Sequence, residues 1–156
     1  AEYLRNRYLH KEIREKGGAY GGFAAFQRED GVFAMLSYRD PNVKRTFDVY
    51  AGALEFMARP FEQDTLKESI LGACADFDPL SSPDTKGRSR FFNDLAGYTL
   101  ELRAEFKQGL LSTSEDDLRR VAQTYLVNPR LAVVSNAEKI EEANKLMGGI
   151  FEVEAV

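Results

Sequence analysis

Ile13-Arg14-Glu15-Lys16-Gly17-Gly18-Ala19-Tyr20-Gly21-Gly22 is the stretch on which the fold turns. A helical pattern runs into it and a strand pattern runs out of it. Four of the chain's 12 glycines fall between positions 17 and 22, around one tyrosine and after a charged triplet. Glycine admits backbone conformations and close approaches that other residues forbid. A glycine pair on each side of Tyr20 therefore reads as a means of setting that ring beside another backbone. The same residues also suit plainer roles, Gly17-Gly18 as a helix C-cap and Gly21-Gly22 as a strand bulge. A phosphate loop fits less well. Such loops lead from a strand into a helix, and here the order is reversed.

Upstream, residues 1 to 16 predict a helix, with Leu4, Tyr8, Leu9 and Ile13 on one face. Its start at Ala1, without a capping residue, reads as a cut through a larger protein. Downstream, residues 19–27 and 32–38 predict a hairpin around Arg28-Glu29-Asp30-Gly31, whose Asp-Gly pair is a strong turn signal. Asn42 caps a predicted helix over 43–58 that ends before Pro60, with Phe47, Tyr50, Ala51, Leu54 and Met57 or Phe56 in its buried stripe. Thr65 and Glu68 suggest a capping box for a helix to about Ala75. A loop over 76–85 follows, then one long helix from Lys86 to about Leu110. Ser114 with Asp117 opens a helix ending near Asn128-Pro129. Arg130–Ser135 and Ile150–Glu154 predict two further strands, separated by a helix to Met147 that begins at a Ser135/Glu138 box. The order predicts an α+β fold: a small mixed or antiparallel sheet with helices on one face, in a single domain over 1–156.

Composition narrows the function. Hydrophobic residues make up 44% and charged residues 29% of 156, which is globular. The net charge of −4 argues against a nucleic-acid partner. No apolar run is long enough to span a membrane, so no membrane partner is expected. Cys74 is the only cysteine, which excludes an internal disulfide, and its apolar surroundings suggest a small buried thiol. His10 is the only histidine and stands on a charged helix, where a surface role is expected.

Three blocks then carry a resemblance. Arg14 to Gly22 resembles the signature in the C-terminal half of the insulinase/pitrilysin zinc metallopeptidases, closest to their presequence-protease branch. Lys86-Gly87-Arg88 with Phe91 and Leu95-Ala96-Gly97, and Leu110 to Leu118, resemble the same branch in order along the chain. The resemblance weighs against reading the glycines as a helix cap alone. It implies a truncated copy of one metallopeptidase half, with the fold of the mitochondrial processing peptidase type. In that family two halves close around a peptide-sized chamber. Zinc and the general base lie in the N-terminal half, in a His-x-x-Glu-His motif that does not occur here. The C-terminal half lends an arginine and a tyrosine, and the matching residues are Arg14 and Tyr20. A tyrosine hydroxyl can donate to the developing oxyanion of peptide hydrolysis, and an arginine can grip substrate carbonyls through its donor fork.

The expectations are therefore specific. Arg14 and Tyr20 assist catalysis in the parent enzyme, and with Gly21 and Gly22 they bind substrate. No metal is bound by this chain; zinc belongs to the parent. The partners are unstructured peptides and the N-terminal half of the same polypeptide, and without that half the chain is expected to self-associate and to be inactive. The compartment expected is the bacterial cytoplasm, with an organelle matrix second. The competing reading is an inactive structural homologue with no peptidase role.

Overall fold

The computed structural model describes residues 1–28 and 30–154. Among these it is α+β, seven helices with one antiparallel hairpin. The chain divides into two compact units. One comprises Tyr3–Pro60 and Arg119–Val156, the other Phe61–Leu118 together with Glu2.

In the first unit α1 opens with one α-helical turn, Glu2–Leu4, and continues as a π-helix over Arg5–Glu15. Leu4, Leu9 and Ile13 form its buried line, with Leu9 at 0% and Ile13 at 1% exposure. The five-residue step from Leu4 to Leu9 suits the wider i→i+5 winding. The hairpin follows as β1 (Gly21–Gln27) and β2 (Val32–Tyr38), paired from Gly21 opposite Tyr38 to Gln27 opposite Val32. The predicted turn holds Gly31 at φ +65°; Glu29, also part of that prediction, lies outside the described residues. α1 covers one face of β1. Gly22 lies against Leu9 and Ile13, and a Cβ there would come within 2.9 Å of the Leu9 carbonyl oxygen. Strand side chains alternate faces, so Phe23, Leu36 and Tyr38 stand on the opposite face, all exposed.

α2 (Val43–Ala58) packs along α1, where Tyr8 stacks on Phe56 at 4.6 Å and its hydroxyl donates to the Val49 carbonyl at 3.0 Å. Its buried line is Thr46, Ala53 and Met57; of the predicted stripe Met57 is thus buried, Phe47, Tyr50, Leu54 and the alternative Phe56 are half-buried, and Ala51 is exposed. α7 (Ala137–Met147) lies against α2, with Asn136 as its N-cap in place of the expected Ser135, accepting from the Lys139 amide at 2.9 Å.

The second unit holds α3 (Gln63–Phe77), α4 (Pro83–Leu95) and α5 (Leu100–Leu111). Phe77 stacks on Phe106 at 5.0 Å, and Arg103 lies 4.8 Å over the Phe77 ring. Thr65 is not a cap. It is buried inside α3 and its hydroxyl donates to the Glu62 carbonyl. The single long helix from Lys86 is instead two, because Gly97 turns left-handed at φ +72° and Thr99 caps α5 through Leu102. α6 (Glu115–Tyr125) starts at the predicted Ser114–Asp117 box, where the Ser114 hydroxyl donates to Asp117 at 2.6 Å and the Asp117 amide donates back at 3.2 Å. Cys74 is half-buried.

Two predicted strands are absent from the described residues. Residues 130–135 are irregular and open, with Val134 at 93% exposure. Their β-forming residues have no neighbouring strand to pair with, and pairing rather than propensity makes a sheet. Residues 150–154 are also irregular, because the Asn144 side chain occupies the groups a ladder would use. It donates to the Phe151 carbonyl at 3.0 Å and accepts from the Phe151 amide at 2.9 Å. Among the described residues the sheet is thus two-stranded and antiparallel, the second of the two arrangements expected.

Candidate functional site

The residues singled out in the sequence sit at the junction of α1 and β1: Arg14 on the last turn of α1, Tyr20 in the connecting loop, Gly21 and Gly22 at the start of β1. α1 ends at Glu15, and Gly18 adopts φ +75° immediately after it. The Gly18 amide donates to the Arg14 carbonyl at 3.0 Å and the Ala19 amide to the Ile13 carbonyl at 3.2 Å. The glycine cap set aside on the strength of the resemblance is therefore real at Gly18. It does not compete with the site; it builds the turn that separates Arg14 from Tyr20.

The loop is held from outside as well. Asn42, at the start of α2, donates from its side-chain amide to the Gly17 carbonyl at 2.8 Å. Arg45, one turn on, donates to the Lys16 carbonyl at 2.9 Å. Carbonyls at a helix C-terminus need such partners. Asp40 in turn accepts from the Asn42 amide at 2.9 Å and from the Thr46 hydroxyl at 2.5 Å, which fixes the entry to α2. The sequence points to Asn42 as a cap for its own helix; its side chain instead satisfies the preceding one.

Arg14 is exposed and meets one polar neighbour. Its Nη1 lies 3.3 Å from His10 Nε2, while His10 Nδ1 lies 3.3 Å from Glu15. A neutral imidazole with its proton on Nδ1 satisfies both contacts, accepting from the arginine and donating to the carboxylate. The π-winding makes this clip: residues four and five apart meet the same ring. Arg14 makes no ion pair with a described carboxylate, so most of its donor fork is open.

Tyr20 is 64% exposed. Its amide donates to the Tyr38 carbonyl at 3.1 Å, and its ring meets Tyr38 edge-on at 6.0 Å. Its hydroxyl makes no hydrogen bond among the described residues. Gly21 and Gly22 are both buried by their own chain, Gly21 beneath the Phe23 ring and Gly22 against α1. Each can offer a ligand backbone alone. Arg39, which sequence reading passed over, lies over both tyrosine rings, 5.9 Å from Tyr20 and 5.4 Å from Tyr38. The hairpin register could have revealed it, since one step beyond the Gly21–Tyr38 pair sets Tyr20 opposite Arg39.

No cluster of metal-type donors stands out among the described residues. His10 is the only histidine, both of its ring nitrogens face other side chains, and no group of three potential ligands gathers among the described residues. What the loop offers is neutral and cationic hydrogen-bond donors, suited to carbonyl or oxyanion oxygen.

Comparison with known proteins bears on this loop. The family described as "PreP C-terminal domain" matches residues 1–139. The chain belongs to that family. Presequence protease 1, chloroplastic/mitochondrial, of Arabidopsis thaliana is 39% identical over 157 residues, which cover 98% of this chain and 14% of that protein. The mitochondrial presequence protease of Yarrowia lipolytica is 40% identical over 130 residues, covering 83% of this chain and 13% of that protein. That of Aspergillus oryzae is 40% identical over 141 residues, 89% and 14% respectively. The chain thus spans about a seventh of the length of the curated relatives it matches. These relatives carry chloroplastic or mitochondrial names, which overturns the expectation of a bacterial cytoplasm. A net charge of −4 and one cysteine suit either compartment, so composition carried no information on the choice.

Proposed function

We propose that residues 1–156 serve as the C-terminal, metal-free domain of a zinc-dependent metalloendopeptidase that degrades unstructured peptides. In this reading the domain closes one side of a peptide chamber and lends Arg14 and Tyr20 to a site whose zinc and general base belong to another part of the polypeptide. The observation that carries it is the turn at 14–20: its backbone is fixed at Lys16 and Gly17 through Arg45 and Asn42, yet it presents the exposed Arg14 guanidinium on one side and the unpartnered Tyr20 phenol on the other. A rigid backbone with free donor groups is what transition-state stabilisation requires. The relatives' shared name as proteases supports the same reading.

Each residue then has a separable task. The Tyr20 hydroxyl donates to the oxygen that gains charge as the peptide bond is attacked. Arg14 holds substrate carbonyls in ground and transition states alike. The exposed face of β1, with Phe23 beside Tyr38 and Leu36, offers apolar contact to an extended peptide.

The test is kinetics on a quenched fluorescent peptide with the full-length parent. Tyr20→Phe should lower kcat by about a hundred- to a thousand-fold, the effect of losing one oxyanion donor at roughly 2.7–4 kcal/mol, with KM little changed. Arg14→Ala should act mainly through KM. Both variants should melt at the wild-type temperature, because neither side chain is buried. Wild-type turnover in Tyr20→Phe would leave the domain as an inactive structural homologue.

A further inference from the structure

We propose that Arg39 is a positioning residue for Tyr20, acting through the ring to set where the hydroxyl stands; the proposal rests on the role of Tyr20 given above. Tyr20 has little else to hold it. It is 64% exposed, its hydroxyl has no described partner, and its following neighbours Gly21 and Gly22 lack side chains that could wall it in. The Arg39 guanidinium lies within about 6 Å of both the Tyr20 and Tyr38 rings, the range in which a cation is attracted to an aromatic face. Tyr38 meets Tyr20 edge-on, so the three side chains form one cluster at the open end of the hairpin. Arg39 makes no ion pair or hydrogen bond with a described residue, which leaves the two rings as its recorded contacts.

The backbone adds an independent observation. Arg39 adopts φ +49°, a left-handed conformation that a long side chain enters at a cost and that glycine enters freely. Strain of this kind persists where its surroundings over-determine it, and it concentrates at functional sites. Here the surroundings are evident. Tyr38 is pinned through the Tyr20 amide on one side, and Asp40 is pinned through Asn42 and Thr46 on the other. A residue chosen for stability alone at this position would be glycine.

That contrast supplies the experiment. In the full-length parent, Arg39→Gly should melt at or above the wild-type temperature because it relieves the left-handed strain. Its kcat on a quenched peptide should nevertheless fall by roughly ten- to a hundred-fold, the scale of a misplaced catalytic group, with KM unchanged. Arg39→Lys, which keeps a cation, should recover most of the loss, and Arg39→Gln, which keeps the stem without charge, should not. In a Tyr20→Phe background Arg39→Gly should cause no further drop, because the hydroxyl it positions is gone. Wild-type kcat in Arg39→Gly beside a slow Tyr20→Phe overturns the positioning role alone. So does a double variant that falls by the product of the two singles, or an Arg39→Gly that raises KM at constant kcat. Wild-type turnover in Tyr20→Phe overturns the function reading and this proposal with it.

Discussion

Gly22 shows how narrow the tolerances at this loop are. A methyl group there would meet the Leu9 carbonyl oxygen and the Ile13 Cβ, both at 2.9 Å, and neither can swing away because one is backbone and the other is at the root of a buried side chain. Gly22→Ala should therefore push β1 off α1 and destabilise the domain by about 1–3 kcal/mol, the usual range for overpacking. Gly109 is the control. It lies inside α5 with open space around it, so Gly109→Ala should stabilise by roughly 0.5–1 kcal/mol. Opposite shifts in urea midpoint would establish that Gly22 is there for close packing and Gly109 is not. Arg14 and Tyr20 were singled out in the sequence through motif, and Gly22 through its place beside them. The roles of Asn42 and Arg45 were not legible, because they depend on contacts across 25 and 29 residues of chain that no local pattern records, and Arg39 was passed over although the hairpin register sets it opposite Tyr20.

At the scale of elements, helices with strong punctuation were readable and strands without partners were not. The hairpin was legible because Asp30-Gly31 marks the turn and both strands lie next to each other in sequence. The Ser114–Asp117 box likewise started α6 where expected. The segment at 150–154 misled because alternation is a local signal and pairing is not. Asn144 decides its conformation, clamping Phe151 through both amide and carbonyl while Phe151 rests 5.5 Å from Phe47. Asn144→Ala should free this segment at a cost of about 1–3 kcal/mol for two partly buried hydrogen bonds. Hydrogen exchange should show the Phe151 amide losing protection while the amides of β1 keep theirs. Unchanged protection at Phe151 would mean that the Phe47 contact alone holds the segment.

For the molecule as a whole, the two units differ in how they are held. Phe61–Leu118 buries few apolar side chains, chiefly Phe61 and Leu66, and leans on polar contacts at the α3–α5 seam. Asp78 is the centre of these. A hydrogen bond from Lys107 at 3.0 Å, that lysine's charge, and Arg103 at 3.9 Å hold its carboxyl below the ordinary carboxylate range. The folded carboxyl thus binds a proton less readily than the unfolded one. Its stabilising contribution is complete above the ordinary aspartate value of about 3.9 and is lost as pH falls through the lower folded value. Thermal unfolding between pH 6 and pH 3 should accordingly be less acid-sensitive in Asp78→Asn than in the wild type. The pair is exposed, so added salt should narrow the difference. An identical acid profile in both proteins would assign the sensitivity elsewhere.

The hairpin carries a liability for anyone who handles this domain in isolation. Among the described residues each strand is paired on one side only, and neither Gly21–Gln27 nor Val32–Tyr38 contains a charged residue or a proline. Those are the gatekeepers that usually keep an open strand from templating another copy of itself. The same bare side that could welcome an extended peptide is thus a nucleus for filament growth. Stocks held at high concentration should develop thioflavin-positive aggregates after a lag. An Ala25→Lys change, set at an exposed position in β1, should lengthen that lag without altering the melting temperature.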